Sequence, residues 1–436
     1  MKIRSIVATA AVAAVVLATA ACGSNANNAS GGGGDSKTLT YWASNQGTSL
    51  ENDKEVLTPL LDKFKDETGI TVKLEVIGWN DLQTRIQTAV TSGQAPDVVN
   101  IGNTWATSLQ ATGAFMPYED AEMTAIGGAD KFVKTALDTG GAAGQTVTSV
   151  PLYGLAYGLY YNKAMFADAG LQPPATWEDM VTAAKTLTKG DVHGMALAAG
   201  SYTENAHFAF INAAQDGAAL FDDQGNPTFT QDGVVSGIKR YLDLMQTDKV
   251  ADIGNAQYDN GTKSVADFAN KKVAMVINQN NADNSIVAAG MKSDEYGVVP
   301  FPAPASGEKI ASFIAGINLS IFKNTDNKDG ALKFVKFMTD EATQSTLGKP
   351  FASLPVLNGV KPTFTDNAEE AATFQNIYST MSKPLPLVPA EDQFESTVGK
   401  AMNEMFATIA TGGTVSEADI KTALQTAQDQ VIATIG

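Results

Sequence analysis

The chain of 436 residues has a single cysteine, Cys22. No disulfide can therefore form within it, and the fold has to stand on packing and hydrogen bonds alone. Histidine is almost as scarce, with two in the whole sequence, which leaves little from which to build a transition-metal site. Basic charge is thin as well: 30 lysines and arginines face 47 aspartates and glutamates, for a formal net charge of −17. No Lys/Arg cluster interrupts that acidity, which argues against binding nucleic acid or anionic lipid through a basic patch. Beyond Cys22 there is no apolar run of about twenty residues, the length that a membrane-spanning helix requires. Neither the Gly-x-Ser-x-Gly elbow of a hydrolase nor a glycine-rich phosphate loop occurs. A secreted glycosidase, the foremost enzyme candidate, needs two carboxylates at a fixed separation with split pKa values. No such pair stands out, and the strand pattern is not that of an eightfold barrel. The expectation is a binding protein, without catalysis or cofactor.

What the sequence does contain begins with a leader. Lys2 and Arg4 precede an alanine- and valine-rich run over residues 6–18, then Thr19-Ala20-Ala21 and Cys22. A basic start, a short apolar stretch and a small-residue end describe a secretory signal peptide over residues 1–21, too short for a stable membrane span. Cys22 directly after Ala20-Ala21 resembles the lipobox of bacterial lipoproteins, whose cysteine is diacylated and becomes the mature N-terminus. Removing the leader, with Lys2 and Arg4, takes the net charge from −17 to −19. The linker spans residues 22–37; residues 23–36 hold nothing large enough to pack, with four consecutive glycines at 31–34, a composition that behaves as a flexible coil. The expected arrangement is a soluble body on the outer face of the cell membrane, held there by its lipid alone.

The body, about 400 residues long, exceeds what one hydrophobic core usually supports, so two domains are expected. Strand and helix signals alternate along it. Leu39-Thr40-Tyr41-Trp42 reads as a strand. Asn52 or Asp53 is placed to cap a helix whose stripe is Val56, Leu57, Leu60, Leu61 and Phe64, closed by Gly69. Val72-Lys73-Leu74-Glu75-Val76 alternates as a strand does. A helix carrying Leu82, Ile86, Ala89 and Val90 follows, and then the strand Asp97-Val98-Val99-Asn100-Ile101. This order predicts mostly parallel sheets covered by helices, with ligands met at the carboxyl ends of the strands. Thr176, with Glu178 and Asp179 after it, reads as a helix start of the same grammar.

Several ordered segments together carry a family resemblance. Val150-Pro151-Leu152-Tyr153-Gly154, Leu159-Tyr160-Tyr161-Asn162-Lys163, Ala169-Gly170-Leu171 and Pro174-Ala175-Thr176-Trp177-Glu178 come first. Phe268-Ala269-Asn270-Lys271-Lys272-Val273-Ala274-Met275, Val299-Pro300-Phe301-Pro302, Gly316-Ile317-Asn318-Leu319 and Lys333-Phe334-Val335-Lys336-Phe337 follow. In order and spacing the set resembles the extracellular solute-binding proteins of carbohydrate ABC importers, of the maltose-binding-protein class, as found in Gram-positive bacteria. The resemblance implies an α/β, two-lobe periplasmic-binding-protein-like fold of type II, with the ligand cleft at the hinge. Each lobe is then a mostly parallel sheet flanked by helices. It places the N-terminal lobe on residues 38–150 and 304–353 and the C-terminal lobe on 151–303 and 354–436. It also implies an oligosaccharide ligand, permease subunits of an ABC importer as partners, and a monomer that closes around its sugar. A binding lipoprotein for another solute, such as a peptide, iron chelate or polyamine, is the alternative, which the richness in aromatics and amides disfavours.

Candidate site residues follow from what a sugar needs. Flat aromatic rings cover the C–H face of a pyranose, while amides, carboxylates and histidine satisfy its buried hydroxyls. Trp105, after a strand and beside Asn103, suits a stacking ring with a hydroxyl clamp; the competing reading is a tryptophan packed on the next helix. Asn45 and Gln46 end the first strand, between loop and ligand roles, whereas Trp42 within that strand reads as core. Trp79 reads as packing with a cleft-edge alternative, and Trp177 as structural. Tyr153 is the hinge tyrosine expected to face the cleft. Tyr202, Glu204 and His207 stand in a polar helix entrance and have the reach to meet a sugar, or form a solvated first turn in which Glu204 favours the helix dipole. Gln279, Asn280 and Asn281 end another strand and read as a polar clamp. Many relatives have Asn-Gly-x-Trp here, so Asn281 stands where their ring would be. Gly316 allows close backbone approach, and Asp392, in a proline-rich loop, is placed to close over one end of the ligand.

Overall fold

Ser49 opens the first helix, Leu50–Thr68, in the computed structural model of the chain, which describes residues 37–435. The leader, most of the linker and Cys22 lie outside the described residues. Ser49, rather than Asn52 or Asp53, is the cap: its side chain accepts the Asn52 N–H, and Gly69 ends the helix at a φ of 73°. That left-handed turn is where glycine carries no penalty. Leu57, Leu60, Leu61 and Phe64 form the buried stripe. The helix Trp177–Leu187 opens on a full capping box between Thr176 and Asp179, as its sequence implied.

The strands β1 (Thr38–Ser44), β2 (Thr71–Ile77), β3 (Val98–Gly102) and β4 (Ser149–Leu155) are followed, after Ala156 alone, by β5 (Tyr157–Asn162). Then come β6 (His193–Ala196), β7 (Val273–Gln279), β8 (Tyr296–Val299), the short β9 (Ser312–Phe313), β10 (Ala315–Ile321) and β11 (Ser382–Lys383). They assemble into one sheet of order β2-β1-β3-β10-β4, a second of order β6-β7-β5-β8, and a small β11-β9 pair. β1 runs parallel to β2 and β3, and β6 parallel to β7, while β10 and β5 are antiparallel to their neighbours. All of β3 is buried, the mark of a strand covered on both faces. Each sheet has its own core. Tyr41, Phe64, Phe334 and Phe337 pack beside the first, and Tyr160, Phe208, Tyr241 and Phe301 beside the second.

The chain leaves the first sheet at Ala156, not at 150–151. Val150 and Pro151 lie inside β4, paired with Leu319 and Asn318. Leu354 forms a bridge to Gly154 just before this crossing. The pairings also fix where the strands end. β10 places Ile317 opposite Gly102 and Ala315 opposite Leu155, so β3 and β4 end side by side, on the edge where the chain departs. In the second sheet Tyr157 pairs with Gln279, so β7 ends where β5 begins. The carboxyl ends of β3 and β7 therefore flank the crossing at Ala156, and those of β1, β2 and β6 lie further along the same edges.

Candidate ligand cleft

On the first sheet the loops after β1, β2 and β3 form one continuous rim. Trp79, which begins the helix after β2, donates its indole N–H to the Asn45 carbonyl at 2.7 Å. Its ring meets that of Trp105 edge-on, with centroids 5.5 Å apart at 68°. Trp105 is partly buried and lies on Gly102, where an added Cβ would come within 3.2 Å of the indole. The ring is thus packed on its own rim and partly open. Trp42 packs at the margin of a core with Leu82, Ile86 and Val99: it is partly buried and carries the Arg85 guanidinium 4.5 Å from its ring centroid.

The loop carrying Asn45 and Gln46 is organised by a residue that sequence reasoning saw only as a cap. Asp53 is fully buried and accepts the N–H groups of Gln46 at 2.9 Å and Gly47 at 3.0 Å, together with the Asn45 amide. Burial pushes its carboxyl above the usual range, and these three donors pull it partly back. Gln46 is 9% exposed; its amide nitrogen donates to the Asn45 carbonyl at 3.1 Å.

On the second sheet a comparable rim joins the ends of β6 and β7. Ser201 caps the helix Tyr202–Gln215 by accepting the Glu204 N–H at 3.3 Å. Tyr202 is exposed, with the Lys400 ammonium 5.8 Å from its ring centroid. Glu204 and Asn278 meet over Gly261, where a Cβ would stand 3.1 Å from the Glu204 carboxyl and 2.4 Å from the Asn278 amide. Glycine here leaves the two side chains room to approach the backbone. Desolvation pushes Glu204 up to about 7, against a hydrogen bond from the Gly261 N–H. Gln279 is partly buried, as is Asn281, which precedes the helix Ala282–Ala288 and makes no capping bond with its side chain.

Other expected site residues serve the fold instead. Tyr153 is 2% exposed and packs edge-on against Phe351 at 5.4 Å, inside the first core rather than facing the cleft. His207 is buried with both ring nitrogens engaged, Nδ1 with the Tyr157 hydroxyl at 3.0 Å and Nε2 with Glu395 at 3.3 Å. Asn280 is fully buried, and its amide accepts the Ala156 N–H at 2.9 Å and donates to the Ala352 carbonyl. It ties the crossing together, sealed from any ligand by its burial. Asn103 is 7% exposed and spends its amide nitrogen on the Ile314 carbonyl at 2.6 Å. At Gly316 the close approach is made by the neighbouring strand, since a Cβ would lie 2.5 Å from the Tyr153 carbonyl. Asp392 is not in a loop but in the first turn of the helix Glu391–Ala410, where burial raises its carboxyl. Trp177 packs on Phe301 at 5.8 Å, as a structural residue would.

The residues missed by sequence reasoning are Asp53 and the pair Glu391 and Glu395, 1% and 5% exposed. Carboxylates at positions i, i+1 and i+4 of Glu391-Asp392-Gln393-Phe394-Glu395 were the available signal. Among the described residues no group of three His, Cys, Asp or Glu side chains is arranged to hold a metal ion. No described helix is long and apolar enough to cross a membrane.

Two sheets, each with its own core, joined by a strand crossing are the layout of a two-lobe binding protein. Residues 47–345 match the family of bacterial extracellular solute-binding proteins, and the chain belongs to that family. It is 28% identical over 316 residues to the multiple sugar-binding protein of Streptococcus mutans, covering 70% of this chain and 71% of that one. It is 22% identical over 343 residues to the diacetylchitobiose binding protein DasA of Streptomyces coelicolor, covering 77% of each. Among solved structures, the GacH receptor of Streptomyces glaucescens, known unliganded and with acarbose, aligns with a TM-score of 0.77. That match has 21% identity and covers 91% of this chain and 98% of the receptor. The fold is that of the two-lobe binding proteins, and the family is one of binding proteins, not enzymes.

Proposed function

We propose that this protein captures a sugar, an oligosaccharide in the fullest form of the reading, and delivers it to the permease of an ABC importer. What supports the proposal is that the ends of β3 and β7 flank the crossing at Ala156, with Asn45, Trp79 and Trp105 on the loops of one sheet and Tyr202, Glu204, Gln279 and Asn281 on those of the other. An aromatic pair combined with amides and carboxyls is the chemistry that a sugar's apolar face and hydroxyl rim call for. The spread of these groups over several loops favours an extended ligand. The names of the streptococcal and streptomycete relatives, both sugar binders, support the same class. Corrected for the crossing, we place the first lobe on residues 38–155 and 315–353 and the second on 157–303 and 354–435. We further propose a monomer anchored outside the cell through lipid on Cys22.

Thermal-shift screening of the protein against di- to tetrasaccharides tests the central claim. A ligand at about a hundred times its dissociation constant stabilises by about 2.7 kcal/mol, and the sugar should be recovered uncut. A panel without a single shift overturns the sugar assignment. Cys22→Ala tests the anchor: the variant should leave the membrane fraction, since the acidic body has no basic patch to hold it there.

A further inference from the structure

Glu391 begins the helix Glu391–Ala410 at 1% exposure, and neither of its carboxyl oxygens has a hydrogen-bond partner. It borders a recess of about 10 Å3 shared with Asn103, Thr104, Thr107 and Thr139 of the first lobe and Leu385 of the connecting segment. Such a space admits one water at most, and no cationic side chain. The titratable groups facing Glu391 are few. Asp392 and Glu395 lie on its own helix. The helix Tyr202–Gln215 brings His207, held between Glu395 and the Tyr157 hydroxyl of β5. The turn Asn103–Trp105, the helix Ala106–Ala111, Thr139 and residues 385–387 offer no titratable group. An ionised Glu391 here would be a buried charge beside like charges with no counter-ion, an expensive state that a proton relieves. Burial first, then Glu395 and Asp392, push its pKa well above the carboxylate range, and once protonated it shares a hydrogen bond with Glu395.

The cover over Glu391 comes from the opposite lobe. Its helix packs along Tyr202–Gln215 in the second lobe, whereas Asn103, Thr104, Thr107 and Thr139 belong to the first. Thr107 completes the seam by donating to the Val388 carbonyl at 2.8 Å. Parting the lobes withdraws these residues and returns the carboxyl to water, where it ionises near its ordinary pKa of about 4.3. We propose that Glu391 makes lobe closure proton-linked: its carboxylate takes a proton from solvent as the first lobe closes over it and releases that proton as the lobes part. The inference rests on the reading of the protein as a hinge-closing binder, but its test needs no sugar.

Spin labels at Lys54→Cys and Thr262→Cys, both exposed and one in each lobe, report closure in the full chain carrying Cys22→Ala. Pulsed electron double resonance then reads the distance distribution from pH 5 to pH 9. The closed-to-open ratio should fall by up to about tenfold per pH unit, the slope of one linked proton. In Glu391→Gln the distribution should no longer depend on pH, while Asp392→Asn should keep most of the dependence. A wild-type distribution that ignores pH overturns the proposal without recourse to any variant. A pH response that survives in Glu391→Gln overturns the assignment to Glu391. A sugar panel that fails while this response holds would strike the proposed function and leave the proton linkage standing.

Discussion

Asp53 in the first lobe and Glu391 in the second each occupy the first turn of a helix, and each is sealed from solvent, at 0% and 1% exposure. Asp53 collects three donors from the loop in front of it, whereas Glu391 collects none. Burial raises both carboxyls, but only at Asp53 do hydrogen bonds oppose it. The difference separates two uses of a buried acid. Asp53 holds Asn45 and Gln46 in place whatever the lobes do, because all its partners are local. Glu391 faces residues of the other lobe, so its environment changes when they move. A third acid lies between the extremes. Glu370 has one bond, from the Thr365 hydroxyl at 3.3 Å, and one oxygen without a partner. Burial, and then Asp283, push it up to about 8.

The largest effect expected from this contrast is at Asp53. Asp53→Ala strands the buried Gln46 N–H, worth roughly 1–3 kcal/mol when left unpaired, and removes the acceptor of the part-buried Gly47 N–H and Asn45 amide, so a loss of about 2–4 kcal/mol is expected. Urea unfolding measures it. A loss no greater than that of Glu391→Ala would erase the distinction between the two acids.

Next, and of opposite sign, are the acids without donors. Below the ordinary carboxyl range the folded and unfolded chains both hold the proton, and nothing is gained or lost. As pH rises through about 4.3 the unfolded chain releases it and the native one does not, which costs the fold up to about 1.4 kcal/mol per pH unit. Glu391→Gln and Glu370→Gln should therefore leave melting unchanged near pH 4 and raise the melting temperature at pH 7. For Glu370 the gain should level off near pH 8, where the native group itself ionises. Melting curves of both variants across pH 4–9 decide it; a gain that is already full at pH 4 would mean that packing, not the proton, is responsible.

Elements and fold were legible in the sequence because their signals are local. The stripe Leu57, Leu60, Leu61 and Phe64, the capping box at Thr176 and the turn at Gly69 need only neighbours a few residues away. The position of Trp105 just after β3 was legible for the same reason, since a strand end followed by Asn-Thr-Trp is visible in one dimension. What decided the rest came from far along the chain. Asn280 and Asn281 are adjacent and of one type, yet Ala352 claims the first and leaves the second free. His207 is taken up by Glu395, and Tyr153 by Phe351. The direction of a side chain and the partner that meets it are tertiary facts, and periodicity does not carry them.

Trp105 and Trp79 extend the comparison within one rim. Trp105→Ala should weaken sugar binding by roughly 1–3 kcal/mol, the range of a well-packed aromatic contact. Its melting temperature should fall modestly, because the ring also lies on Gly102 and against Trp79. Trp79→Ala should fall further in stability, since it also loses the indole bond that fixes Asn45. Calorimetry with a sugar chosen from the panel, run beside thermal melts, separates the two. Full affinity in Trp105→Ala would move the stacking surface elsewhere.

The smallest effect expected on the fold is at Asn281. Its side chain makes no capping bond and is only partly buried, so Asn281→Ala should change stability by no more than about 0.5 kcal/mol. Its effect should appear in binding, where a hydroxyl left without its partner in a closed cleft costs about 1–3 kcal/mol. Asn280→Ala should show the reverse. It strands the Ala156 N–H and the Ala352 carbonyl at the crossing itself, and Ala352 is held there at a φ of 41°, which an alanine rarely adopts. That variant should melt early while any fraction that stays folded binds normally. Two adjacent asparagines then divide the labour of the loop, one holding the hinge and the other meeting the ligand. Loss of stability in Asn281→Ala with affinity intact would dissolve that division and take Asn281 out of the site.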